Sequence, residues 1–182
     1  MIRGQISSAD LRQIPAFRNF NESECHQLAE IAQQSLFAPG DKVIEQGKRS
    51  QNLWIVLEGK CEVVRESPHD GPVVLAEIGP HSLFGEMSFF SPAPHSADVV
   101  AKTPLKLLRI ERSDYDDMIC DGVSAAYKLA YNIVENVASR LRRMDEWIAE
   151  LASEHGIHAP PHSEKQPEWQ QFREKLFNGW NL

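Results

Sequence analysis

Phe84-Gly85-Glu86-Met87-Ser88, followed by Pro94-His95-Ser96-Ala97, is the stretch whose reading decides the fold. A Gly-Glu pair opens a short helical turn, and a proline then leads the chain back into a strand, Ala97 to Ala101. On both sides of this stretch the sequence has the period of strands. Val43-Ile44 lies between the turns Ala38-Pro39-Gly40-Asp41 and Gln46-Gly47, and Leu53, Ile55 and Leu57 alternate with Trp54 and Val56. Glu58-Gly59 turns the chain into Cys61 to Arg65, Pro68-His69-Asp70-Gly71 turns it into Val73 to Ile78, and Leu105 to Ile110 closes the series. Roughly seven or eight short, regularly spaced strands predict an antiparallel jelly-roll barrel.

Composition narrows the class. The 182 residues are 42% hydrophobic, enough for one good core, and the net charge of −7 argues against a surface built to grip nucleic acid. Cys25, Cys61 and Cys120 are widely spaced and read as reduced packing residues. No apolar run resembles a signal peptide or approaches the ~20 residues of a membrane span, so a cytoplasmic location is expected.

Helices flank the strands. Leu11, Ile14, Phe17 and Phe20 recur at helical spacing, and Asn21 with Glu24 reads as a capping box for a helix from Glu22 to Gln33. Ser113 is placed to cap a short helix ending at Cys120, and Gly122 allows a bend into a long helix, Val123 to Ser153. Heptads run along that helix, with Tyr127, Val134, Leu141 and Ile148 at a and Ala130, Val137, Met144 and Leu151 at d. Arg140 at g and Asp145 at the following e suit two parallel chains. The stripe serves either a parallel homodimer, the favoured reading, or coverage of the helix's own barrel edge, where Leu129, Ile133 and Trp147 could also pack. His155-Gly156 and Ala159-Pro160-Pro161 form a linker to an amphipathic tail with Trp169, Phe172, Leu176 and Trp180.

The fold class expected is mainly β with flanking helices: a helical segment (1–34), a jelly-roll barrel (35–112), helices including the dimer helix (113–153), and a linker with a tail helix (154–182). The order of Ile14-Pro15, Ala38-Pro39-Gly40, Gln46-Gly47, Leu53 to Leu57 before Glu58-Gly59, Ile78-Gly79-Pro80, Phe84-Gly85-Glu86 and Pro94 resembles the cyclic-nucleotide-binding domain of the catabolite activator superfamily. The resemblance covers about Leu11 to Leu151. It implies that Phe84 to Ala101 is a phosphate-binding cassette in which Glu86 takes the ribose 2′-hydroxyl. The backbone of Gly85 and Ser96 would lie against the cyclic phosphate, flanked by Phe84, Pro94 and Ala97, with the turn of Met87 and Ser88 aimed at it.

Members that bind cyclic nucleotides usually carry an arginine where His95 stands, and a neutral imidazole offers a single donor in its place. Asp98 is close enough in sequence to engage His95. At the base end, where dimeric relatives place hydroxyl residues, the alignment puts Met144 and Asp145. The roughly 30 residues after Ser153 are too few for the winged helix-turn-helix of transcription-factor relatives, so no direct DNA binding is expected.

An enzyme is not expected. Metal-dependent jelly rolls pair histidines as His-x-His, whereas His69, His81 and His95 stand singly, and Pro160-Pro161 interrupts the spacing of His155, His158 and His162. No cofactor is called for. The expected function is a cytoplasmic, dimeric sensor or regulatory module binding cyclic AMP, cyclic GMP or a related small ligand and acting on an unknown effector protein. The alternative is a dimeric interaction module that has lost nucleotide binding.

Overall fold

Ser7 starts the first helix, α1 (Ser8–Arg12), its hydroxyl accepting the Asp10 N–H at 3.1 Å. In this computed structural model, which describes residues 6–67 and 71–154, Pro15 then stops the helical run. Pro15–Phe17 is a separate 3-10 turn, so Leu11 and Phe17 fall in two short pieces while Ile14 and Phe20 lie outside them, all four side chains buried. The capping box forms: Asn21 Oδ1 accepts the Glu24 N–H, and Glu24 Oε2 accepts the Asn21 N–H, both at 2.9 Å. The helix it opens, α2 (Glu22–Ile31), ends before the expected Gln33. Ala32–Phe37 is instead a strand, β1, whose backbone groups pair with the strand β8 (Leu105–Glu111), Ala32 opposite Ile110.

Between these strands lie β2 (Lys42–Ile44), β3 (Asn52–Glu58), β4 (Cys61–Ser67), β5 (Gly71–Ile78), β6 (Leu83–Phe84), the short helix α3 (Glu86–Phe90) and β7 (Asp98–Ala101). They form two four-stranded antiparallel sheets, ordered β1-β8-β3-β6 and β2-β7-β4-β5. Strand β3 is buried on both faces. Leu53 and Ile55 join the core under the helices with Phe17, Leu28, Phe89 and Leu129, while Trp54 and Val56 join the core with Phe84, Val99 and Leu107. That double burial is why both alternating sets along Leu53 to Leu57 are apolar, and each fully buried aliphatic side chain contributes about 1.5–3 kcal/mol.

After β8, helix α4 (Arg112–Cys120) begins directly, and Glu111 rather than Ser113 holds the cap position without a side-chain cap bond. The strand end supplies the restraint instead, because the Arg112 N–H donates to the Gln51 carbonyl at 3.0 Å. Cys25 and Cys61 are buried, but Cys120, expected in packing, is exposed at the helix end.

The long helix α5 (Ser124–Glu154) crosses the border between two compact units, Met1–Val137 and Ala138–Leu182. In the first unit Ala125, Ala126, Leu129 and Ile133 are buried. Lys128 Nζ (2.7 Å) and Ser124 Oγ (3.2 Å) donate to the capping-box carboxylate of Glu24, tying α5 to α2. In the second unit Leu141, Met144 and Trp147 are exposed. Trp147 therefore does not share the buried role of Leu129 and Ile133. The expected tail helix lies outside the described residues.

Candidate functional site

Gly85 is the backbone hinge of the cassette. Its φ of +83° places it in the left-handed region, and a Cβ there would stand 2.6 Å from the Asn52 carbonyl oxygen and 3.2 Å from Trp54 Cδ1. Only glycine satisfies both demands. Phe84, just before it, is buried and stacks on Trp54 with centroids 6.4 Å apart and planes 13° apart. Glu86 begins α3 and is 95% buried, its exposure being 5%. Ser88 and Phe89 are also buried, whereas Met87 faces solvent.

The return limb of the cassette is held by the turn between β2 and β3. The Gly47 N–H donates to the His95 carbonyl and the His95 N–H donates to the Lys48 carbonyl, both at 2.9 Å. His95 is buried, with Nδ1 3.0 Å from Ser88 Oγ and Nε2 2.7 Å from Ser50 Oγ. Both ring nitrogens are thus occupied by hydroxyls. Asp98, also buried, does not engage His95. Its Oδ2 accepts from Lys42 Nζ at 2.6 Å and its Oδ1 from the Gln46 N–H at 2.7 Å. The pairing of β2 with β7 brings Lys42 within reach of Asp98, a contact between distant sequence positions.

These surroundings set the ionisation of both groups. Burial penalises the charged imidazolium and pushes the His95 pKa below its ordinary value. Burial alone would raise Asp98, but the bonds from Lys42 and the Gln46 N–H outweigh it and hold the carboxyl below the usual range. For His95 the unfolded chain binds a proton more readily than the native state just below pH ~6.5, so stability falls as pH drops through that region. The slope attributable to one proton is at most ~1.4 kcal/mol per pH unit. Urea midpoints measured from about pH 7.5 to about 5.5 should fall for the native sequence and fall less for His95→Gln. Parallel profiles for the two proteins would remove His95 as the source.

Among the expected ligand residues, the fold brings Phe84, Gly85, Glu86, Ser88, His95 and Ala97 together as a largely buried wall, with Met87, Pro94 and Ser96 exposed. Met144 and Asp145 lie on α5 in the second unit and are exposed. Sequence reading missed Ser50, Lys42 and Gln46 as partners of the cassette. Gln46-Gly47 was legible as a turn, but nothing in the sequence connected it to positions some fifty residues later. Arg112 was missed as well: its Nη1 donates to the Phe89 carbonyl at 2.6 Å and its Nε to Asp116 at 2.7 Å, fastening the end of α3 to α4. Among the described residues, no group of three or more His, Cys, Asp or Glu is placed to hold a metal ion.

Comparison with known proteins agrees with this geometry. The family profile described as "Cyclic nucleotide-binding domain" matches residues 34–120. A CRP-like cAMP-activated global transcriptional regulator of Mycobacterium tuberculosis is 27% identical over 115 residues, which are 63% of this chain and 50% of that protein. The chain therefore spans about half the length of the curated relatives it matches. Among solved structures, the N-terminal domain of a transcriptional regulator from Streptomyces coelicolor A3(2) is 31% identical with a TM-score of 0.62, covering 75% of this chain and 95% of that one. The catabolite activator protein of Thermus thermophilus is 30% identical with a TM-score of 0.67, covering 76% and 63% respectively. With the cassette, the paired antiparallel sheets and the flanking helices all in place, the chain belongs to the cyclic nucleotide-binding domain family.

Proposed function

We propose that this chain is a cyclic-nucleotide-binding-type sensor or regulatory module, non-enzymatic and cytoplasmic, that takes cyclic AMP, cyclic GMP or a related small ligand at its cassette. The observation that carries the reading is Glu86, a carboxylate buried immediately after the left-handed Gly85. A buried acid in such a position suits a ligand hydroxyl, as a ribose supplies. The names of its relatives, one cAMP-activated, point the same way. Calorimetric titration of the full chain with cyclic AMP and with cyclic GMP tests it. Micromolar binding is expected, and Glu86→Ala should weaken it by about 2–3 kcal/mol, or roughly 30- to 150-fold. Silence of the native protein up to millimolar nucleotide rejects the reading.

Signalling is proposed to run through α5 in a parallel homodimer. Tyr127, Val134, Leu141 and Met144, at heptad a and d positions, are all exposed, an apolar stripe that suits a partner helix. Binding that favours one of two arrangements of the helices would then bias an existing equilibrium toward an effector protein. Light scattering at micromolar concentration should give twice the chain mass, and a monomer would remove this part of the proposal. No described helix is long and apolar enough to cross a membrane.

One observation favours the alternative, a dimeric interaction module without nucleotide. His95 is held toward its neutral form and both its nitrogens are already engaged, so the usual permanent charge is missing from that position.

A further inference from the structure

We propose that Arg49 supplies the positive charge for the anionic group of a ligand bound at the Glu86–Ala97 cassette, the contact that His95 does not provide. The inference rests on the nucleotide-binding reading above and names the residue that completes it.

The placement follows from the backbone. The turn from Glu45 to Gln51 lies against the return limb of the cassette, and its two residues on either side of Arg49 both touch His95. The Lys48 carbonyl accepts the His95 N–H at 2.9 Å, and Ser50 Oγ lies 2.7 Å from His95 Nε2. Arg49 is therefore anchored beside the one cassette position where the family usually has an arginine and this chain has a histidine.

Charge pairing singles out the same residue. Three cations come from β2 and this turn. Lys42 is held by Asp98 at 2.6 Å, and Lys48 by Glu45 at 2.7 Å. Arg49 is exposed and has no hydrogen-bond or ion-pair partner among the described residues. The cassette itself contributes two buried acidic side chains, Glu86 and Asp98, and Lys42 is already spent on Asp98. An incoming phosphate thus meets no unspent cation inside the wall. A guanidinium at the rim carries its charge at every physiological pH and can give two parallel N–H bonds to one oxyanion, which a hydroxyl-bound imidazole cannot. Its long side chain also lets it reach inward from an exposed backbone position.

Calorimetry on the full chain with cyclic AMP and cyclic GMP tests this with Arg49→Gln, Arg49→Lys and, as a charge control away from the cassette, Arg18→Gln. Arg49→Gln should lose about 10- to 100-fold in affinity, Arg49→Lys should recover part of that loss, and Arg18→Gln should bind as the native protein does. Raising ionic strength should weaken the native protein more than Arg49→Gln, since the variant has lost a screened charge contact. Native binding that Arg49→Gln leaves unchanged overturns the Arg49 assignment while the nucleotide-binding reading stands. No binding by the native protein overturns both.

Discussion

Phe89→Ala should lower the unfolding free energy by about 3–5 kcal/mol, the largest effect expected of any single substitution in the cassette. Phe89 is fully buried, packed edge-on against Phe90 at 5.0 Å and Tyr115 at 5.2 Å between ring centroids. The Arg112 guanidinium stands 5.6 Å from its ring centre and donates from Nη1 to its carbonyl at 2.6 Å. Truncation would leave a cavity bounded by α3, α4 and the strands, and close packing allows only partial collapse. Because α3 is a single short helix and Phe89 is its one fully buried aromatic side chain, the same substitution should also weaken the nucleotide binding proposed above. Met87→Ala, on the exposed side of the same helix, should change stability by no more than about 0.5 kcal/mol. Denaturant unfolding of the two variants decides the matter, and a loss below about 1 kcal/mol for Phe89→Ala would show that the site repacks.

Gly59→Ala is expected to cost about 3 kcal/mol or more, from two sources that can be separated. Its φ of +85° imposes a left-handed strain of about 1–2 kcal/mol on any residue with a Cβ. That Cβ would also collide with the Pro104 carbonyl oxygen and stand 2.8 Å from Thr103 Oγ1. Neither neighbour can retreat easily. The Lys60 N–H donates to Thr103 Oγ1 at 2.9 Å, and the Lys60 carbonyl accepts the Lys102 N–H at 2.9 Å, so the turn after β3 is bound to the turn before β8. Gly40, with φ +93° and open space where its Cβ would go, isolates the backbone component. Gly40→Ala should therefore lose only about 1–2 kcal/mol. Equal losses for the two variants in denaturant unfolding would mean that the turn at Gly59 yields and the collision carries no penalty.

The two results bear on function through one physical fact: the cassette is held from several elements at once. α3 is fixed from below by the core and from α4 by Arg112, while the return limb is fixed by the turn before β3. The ligand proposed for the cassette would act on groups that are already coupled to the start of α4, and α4 leads through Gly122 into α5.

Local signals were legible where the chemistry is local. The Asn21–Glu24 capping box, the turns at Ala38 to Asp41 and Gln46-Gly47, and the strand alternation from Leu53 to Leu57 depend on residues close in sequence. The linear pattern was therefore enough to read them. The expectation that helix α2 runs on to Gln33 did not hold, because strand pairing with β8 claims the backbone from Ala32 onward. Ser113 looked like a cap for the equally good reason that serine often is one, but a hydrogen bond from the Arg112 N–H to Gln51 had already set the helix start.

The sequence by itself determined the antiparallel β architecture with flanking helices, since turn glycines and apolar periodicity act over a few residues, while the place of the cassette was implied by the family resemblance. Tertiary structure alone decided what the cassette contains. Antiparallel pairing of β2 with β7 delivers Lys42 to Asp98, and the turn beside it delivers Ser50 to His95 and sets Arg49 next to it. Such contacts join positions roughly fifty residues apart, where burial and hydrogen-bond satisfaction choose the partners and no local pattern records the choice.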